Sequence, residues 1–328
     1  MMKKLMKFPT YLFLAFLGLA VISCEDDDDG VVDPGNSAYD LTKSNPNFST
    51  LGLAIERAGL VDVLDGNGTF TVFAPTNDAF NEFLIDNNFA TLNDVPVDAL
   101  RTTLLYHVLG TSVRSAQLAD GYVKTSATNA NGNAYDAYIT AGLDPSINDA
   151  TLDLSLIDIN VDNGIVHVID EVLTLPTIAD LAVYNPNLSS LVAALSQEEL
   201  VSVVDNENAA LTVFAPLNSS FDALITEDPL NAGWTDLNDI LALGDAGASA
   251  TSTLDGVLTY HVLTTGAVRA GTITDGLMPT TAQGSMFTIN TTNNVTITDA
   301  NSRVITVVAT DITATNGVIH AIGNVLLP

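Results

Sequence analysis

Residues 69–77 read Thr69-Phe70-Thr71-Val72-Phe73-Ala74-Pro75-Thr76-Asn77, and residues 210–218 answer with Ala210-Leu211-Thr212-Val213-Phe214-Ala215-Pro216-Leu217-Asn218. In the first, Phe70, Val72 and Ala74 alternate with Thr71 and Phe73 as a β-strand does. Pro75 stops the strand, and Thr76 or Asn77 can cap a helix running through Phe80, Phe83 and Leu84. The stretch is a strand-to-helix corner, and the chain makes it twice.

Further boxes follow each corner in the same order. Tyr106-His107-Val108-Leu109 returns as Tyr260-His261-Val262-Leu263, and Asn163-Gly164-Ile165-Val166-His167 returns as Asn316-Gly317-Val318-Ile319-His320. Upstream, Asn45-Pro46-Asn47-Phe48-Ser49-Thr50-Leu51 matches Asn185-Pro186-Asn187-Leu188-Ser189-Ser190-Leu191. The separation between partners grows once, between the corner and the Tyr-His box, so the second copy carries an insertion there, read as a surface loop over Leu243-Gly244-Asp245-Ala246-Gly247-Ala248. Two tandem domains follow, and a length of 328 residues suits them better than a single core.

With 47% hydrophobic and 15% charged residues, the chain is too apolar for disorder. Its formal net charge is −29, a field that repels phosphate backbones, and no basic stripe could track nucleic acid. No spacing resembles an EF-hand or a calcium-binding nonapeptide array. Neither a metal site nor a cofactor is expected.

Lys3, Lys4 and Lys7 precede an apolar run from Tyr11 to Ile22, too short to span a bilayer and flanked as an export signal is. Val21-Ile22-Ser23-Cys24 then resembles the lipobox of bacterial lipoproteins, and Cys24 is the only cysteine. The expected order is a lipoprotein signal peptide over 1–23, an acidic tether over 24–36, one domain over 37–174 and a second over 175–328. By the lipoprotein resemblance, Cys24 becomes a lipidated N-terminus, so the membrane contact is lipid alone. Glu25-Asp26-Asp27-Asp28-Asp29 repels itself into an extended tether. The run is also similar to the acidic signal by which some Gram-negative bacteria send lipoproteins to the outer face of the outer membrane, which implies surface display.

Within each copy the pattern is helical early and strand-like late, an α+β arrangement. Leu51, Ile55 and Ala58 recur at helical spacing behind a cap at Asn47 or Ser49. Leu100, Leu104 and Val108 lie on one face of a later helix that carries Tyr106-His107 near its end, with Gly110 and Gly266 as terminators. Leu152, Leu154 and Leu156 alternate as a strand. Asn163-Gly164 reads as the centre of a type I′ hairpin, which needs positive φ at both residues. The short junction at Leu173-Thr174-Leu175-Pro176 predicts a fairly fixed pair.

These boxes together resemble the fasciclin family. Its FAS1 domains carry T-x-F-A-P-T-N-x-A-F (here Thr71 to Phe80), a central Tyr-His (Tyr106-His107) and N-G-x-x-H-x-I-D-x-V-L (Asn163 to Leu173). The resemblance implies two FAS1-like domains, each a β-sandwich-like wedge flanked by helices, in a family of mainly extracellular adhesion modules. The second copy departs at Leu217, where the first has Thr76, and at Gly323-Asn324, where it has Asp170-Glu171. Tyr106, His107, Tyr260 and His261 fall where the family places residues tied to receptor adhesion. The plainer reading is that they pack at a helix end.

All 4 histidines lie in the boxes. His167 shares strand parity with Ile165 and Ile169, and His320 with Val318 and Ile322, so both rings should point into the core. The motif residues Asn163, Gly164, His167, Asn316, Gly317 and His320 are therefore read as structural. No H-E-x-x-H, C-x-x-C, G-x-S-x-G or phosphate loop accompanies them, which leaves no catalytic or zinc motif; paired carboxylates stay open, because their pairing is spatial. The expected function is a non-catalytic surface lipoprotein adhering to cells, matrix or polysaccharide. The alternative is a surface module that captures a glycan or a small apolar ligand for uptake.

Overall fold

In the first copy the quoted stretch becomes strand β1 (Phe70–Pro75), and five of its six residues are buried. A strand with only one wet face would show polar alternation; this one is covered on both sides and divides two cores. Val72 and Ala74 face a helical layer of α1 (Ala38–Ser44), α2 (Ser49–Arg57), α3 (Val61–Leu64), α4 (Asn77–Asp86) and α5 (Val97–Tyr106). Phe73 faces a second core beneath the ribbons. Those ribbons are β3 (Gly121–Thr128), β4 (Ala134–Thr140), β5 (Ser146–Ile147) and β6 (Ala150–Thr151), while β1 itself sits in a sheet ordered β2-β1-β8-β7 with β2 (Val108–Leu109), β7 (Ile159–Val161) and β8 (Gly164–Ile169). β1 and β8 run parallel, Phe73 opposite His167.

The second copy repeats the plan. Helices α6 (Ile178–Tyr184), α7 (Ser189–Gln197), α8 (Val201–Val204), α9 (Asn218–Glu227), α10 (Leu237–Leu241) and α11 (Thr253–Tyr260) cover one face of β9 (Leu211–Pro216). With β10 (Val262–Leu263), β11 (Thr288–Asn290), β12 (Thr296–Thr298), β13 (Val304–Ala314) and β14 (Gly317–Ile322), the sheet order is β10-β9-β14-β13-β12-β11. The fold is α+β in both copies.

This computed structural model describes residues 36–227, 233–244, 253–292 and 294–328. The signal segment, Cys24, the acidic run and the insertion from Asp245 to Ala248 lie outside the described residues. Among those described, no helix is long and apolar enough to cross a membrane.

Four local expectations are corrected. Helix α2 is not capped by Asn47 or Ser49: Phe48 holds the cap position, and the Asn77 side chain supplies the acceptor, its Oδ1 taking Thr50 N–H at 2.9 Å. Helix α5 stops at Tyr106, so Val108 leaves it for strand β2 against β1 and Gly110 terminates nothing; α11 likewise stops at Tyr260, ahead of Gly266. Leu152 to Leu156 is no strand, because Asp153 Oδ1 accepts from Ser155 N and Oγ and turns the chain, leaving Leu154 59% exposed. The hairpin pairs Val161 with Gly164, so its central residues are Asp162-Asn163, and neither has positive φ.

Candidate functional site

The boxes converge on the seam where β1 meets β8, and again where β9 meets β14. Gly164 has φ +150° and lies so close to β1 that an added Cβ would sit 2.0 Å from Phe70 O; Gly317, at φ +155°, would meet Leu211 O at 2.1 Å. Only glycine fits there. The asparagine before each works as a staple. Asn163 Oδ1 accepts Ala38 N–H at 3.0 Å, and its Nδ2 donates to Leu64 O and Gly66 O. Asn316 makes the same three bonds to Ile178 N, Val204 O and Asn206 O. One side chain thus fixes the entry of each copy onto its last hairpin.

Each histidine spends both ring nitrogens on backbone. Nε2 of His167 lies 2.9 Å from Val113 O while its Nδ1 accepts Asp158 N–H, and His320 does the same with Val268 O and Asp311 N. His107 and His261 invert the roles: Nδ1 donates to the carbonyl four residues back, and Nε2 accepts the N–H of Leu173 or Leu326 at 2.9 Å. A ring with one donor and one acceptor partner is held neutral in a single tautomer. Burial lowers all four pKa values, and those of His107 and His261 fall to about 4.

The tyrosines are equally inward. Tyr106 is 0% exposed; its hydroxyl donates to Asp136 O at 2.8 Å and accepts from Asn148 Nδ2 at 3.0 Å. Tyr260 donates to Met286 O and accepts Ala300 N–H. Tyr106, His107, Tyr260 and His261 therefore offer no contact surface in this conformation. Thr71 Oγ1 donates to Thr111 O and accepts Val113 N–H, so the loop after β2 is gripped by both Thr71 and His167. Thr212 and His320 grip the loop at Gly266 and Val268 alike.

Two features were not legible in the sequence. An open cleft of about 580 Å³ runs beside the α4 N-terminus, lined by Thr76, Asp78, Glu82, Asp153, Asp170 and Glu171. Partial burial, then the fields of Asp149, Asp170, Glu82 and Asp86, raise the Glu171 pKa. Among the described residues no group of three or more His, Cys, Asp or Glu is arranged to hold a metal ion. The second feature joins the copies. Tyr122 OH donates to Leu181 O at 2.7 Å, and the buried Asp136, 3% exposed, accepts at Oδ2 both Lys124 Nζ at 2.5 Å and Thr313 N–H at 2.6 Å. Tyr122 and Lys124 alternate with Val123, opposite Tyr138 and Asp136.

The model of the fasciclin domain matches residues 46–176 and, a second time, 186–328. The chain belongs to the fasciclin family. Similar proteins include protein sll1483 of Synechocystis sp., 35% identical over 144 residues, which is 44% of this chain and 76% of that protein. Human periostin is 29% identical over 283 residues, covering 82% of this chain but only 29% of periostin. Among solved structures, a FAS1 domain pair from the insect cell adhesion molecule Fasciclin I superposes with a TM-score of 0.54 at 18% identity, covering 87% of this chain and 98% of that one. At that identity the likeness is one of fold, and it extends over both fasciclin domains.

Proposed function

We propose that this fasciclin protein is a non-catalytic adhesion module, anchored through a lipidated Cys24 on the outer membrane and displayed outward to bind cells, matrix or polysaccharide. The observation that carries the reading is the inward use of the boxes' tyrosines and histidines. Tyr106, His107, His167 and their counterparts, the groups best suited to chemistry, are consumed by internal hydrogen bonds, which leaves recognition to the outer faces. The insect pair of similar fold comes from a cell adhesion molecule.

Capture of a small apolar ligand is less favoured. Apolar cavities beneath the second helical layer measure about 30 and 20 Å³, room for a water or two and not for a ligand. The test compares cells producing the full chain with cells whose chain lacks residues 37–328. Loss of attachment and biofilm supports adhesion, and unchanged attachment defeats it. Mass spectrometry of the mature N-terminus, with protease shaving of intact cells, decides lipid and sidedness.

A further inference from the structure

The adhesion reading lacks a contact surface, and the sheet of the second domain supplies a candidate. Across β11, β12 and β13, Thr288 pairs with Thr298 and Thr298 with Val304; in the adjoining row Asn290 pairs with Thr296 and Thr296 with Thr306. Ile289, Ile297 and Ile305 between them are 0–1% exposed and fill the core. Side chains alternate across a sheet, so the six residues of the two rows turn outward together. Asn290 Nδ2 donates to Thr298 Oγ1 at 3.1 Å, which places those two on one face, and Val304 is 68% exposed.

The result is a regular grid of hydroxyl, amide and methyl groups without a charge, on a protein of net charge −29. Charged groups lie at its margin and are partnered there: Asp275 with Thr291 and Thr292, Arg303 with Asp299 and Glu227. The ribbon of the first copy uses its outward Tyr122, Lys124 and Asp136 to seat the second.

We propose that this face binds a neutral polysaccharide. Rows about 6.6 Å apart, with residues about 4.8 Å apart along each row, present hydroxyls that both donate and accept, beside methyls that can lie against sugar C–H groups. The charge of the rest of the molecule repels anionic polymers, whereas an uncharged chain meets no opposing field on this patch. A second copy of the protein is the weaker occupant: three strands by three residues span about 150 Å², against roughly 800 Å² per partner in a stable interface. Weak single contacts suit a polymer that many displayed copies engage at once.

The experiment measures depletion of the full chain, in detergent, onto insoluble cellulose and insoluble β-1,3-glucan, with alginate beads as the anionic comparison. Binding to at least one neutral matrix, unchanged in about 0.5 M salt and absent on alginate, is expected. Thr298→Glu with Thr306→Glu should weaken it roughly tenfold at an unaltered melting temperature; should that variant melt early, Asn290→Ala serves as the milder substitute. No depletion by either matrix, or undiminished binding by the variants, overturns the proposal, as does self-association in sedimentation that the same variants abolish. If cells carrying the Glu variants still attach while cells lacking 37–328 do not, this inference fails and the adhesion reading stands.

Discussion

Gly164 has no room for a side chain, and that fact carries a measurable cost. Gly164→Ala must push a Cβ into Phe70 O while holding φ near +150°. A loss of more than about 3 kcal/mol in urea unfolding is expected. Asn163→Ala leaves Ala38 N–H, Leu64 O and Gly66 O without their partner; about 2 to 4 kcal/mol should be lost, and a loss under about 0.5 would refute the staple. The histidines give the molecule an acid limit. His107 and His261 are neutral when folded, with pKa values near 4, but bind protons below about 6.5 when unfolded. Their stability contribution is present above pH 6.5 and is lost as pH falls toward 4, about 2 kcal/mol per histidine at pH 5. Urea midpoints measured from pH 7.5 down to 5 should fall, and a flat profile would contradict the buried neutral rings. Strand parity placed His167 and His320 inside from sequence alone. The same reading mistook Asn163-Gly164 for a turn centre, because a dipeptide cannot reveal that its asparagine is bonded to backbone 97 and more residues away.

Thr76 caps α4 by accepting Ala79 N–H at 3.2 Å, while the Asn77 beside it reaches back to α2. Thr76→Ala should cost about 1 kcal/mol, read as a lower melting temperature with unchanged helical content. Element type was legible where apolar periodicity was long, as in α2 and β1. Boundaries failed where partners were distant: Val108 continues the helical stripe of Leu100 and Leu104, yet pairing with Val72 across β1 takes it into a strand. Leu152 to Leu156 failed for the opposite reason, since a local Asp153 turn outcompeted an alternating pattern.

At the scale of the molecule, two repeats were legible from ordered boxes, and the joint between them was not. Sequence gives only a short junction; the structure adds Asp136, Lys124 and Tyr122 closing on Leu181, Asp311 and Thr313. Burial, opposed by Lys124 and the Thr313 N–H, raises the Asp136 pKa, so burying this carboxylate costs stability that its partners do not fully offset. Asp136→Ala with Lys124→Ala should broaden the distance distribution between spin labels on the two domains, and an unaltered distribution would show that the joint does not set the angle. The acidic cleft also escaped the sequence, because Asp78, Asp153 and Asp170 meet only in the folded chain. On the proposed reading the repeated boxes build the fold and the outer faces do the adhering. Attachment per folded molecule of the full chain carrying Tyr106→Phe and Tyr260→Phe separates the two roles. Each change deletes a buried hydroxyl, so melting should fall by about 4 °C or more while attachment per folded molecule stays at the level of the unaltered chain. Attachment lost at an unchanged melting temperature would contradict it.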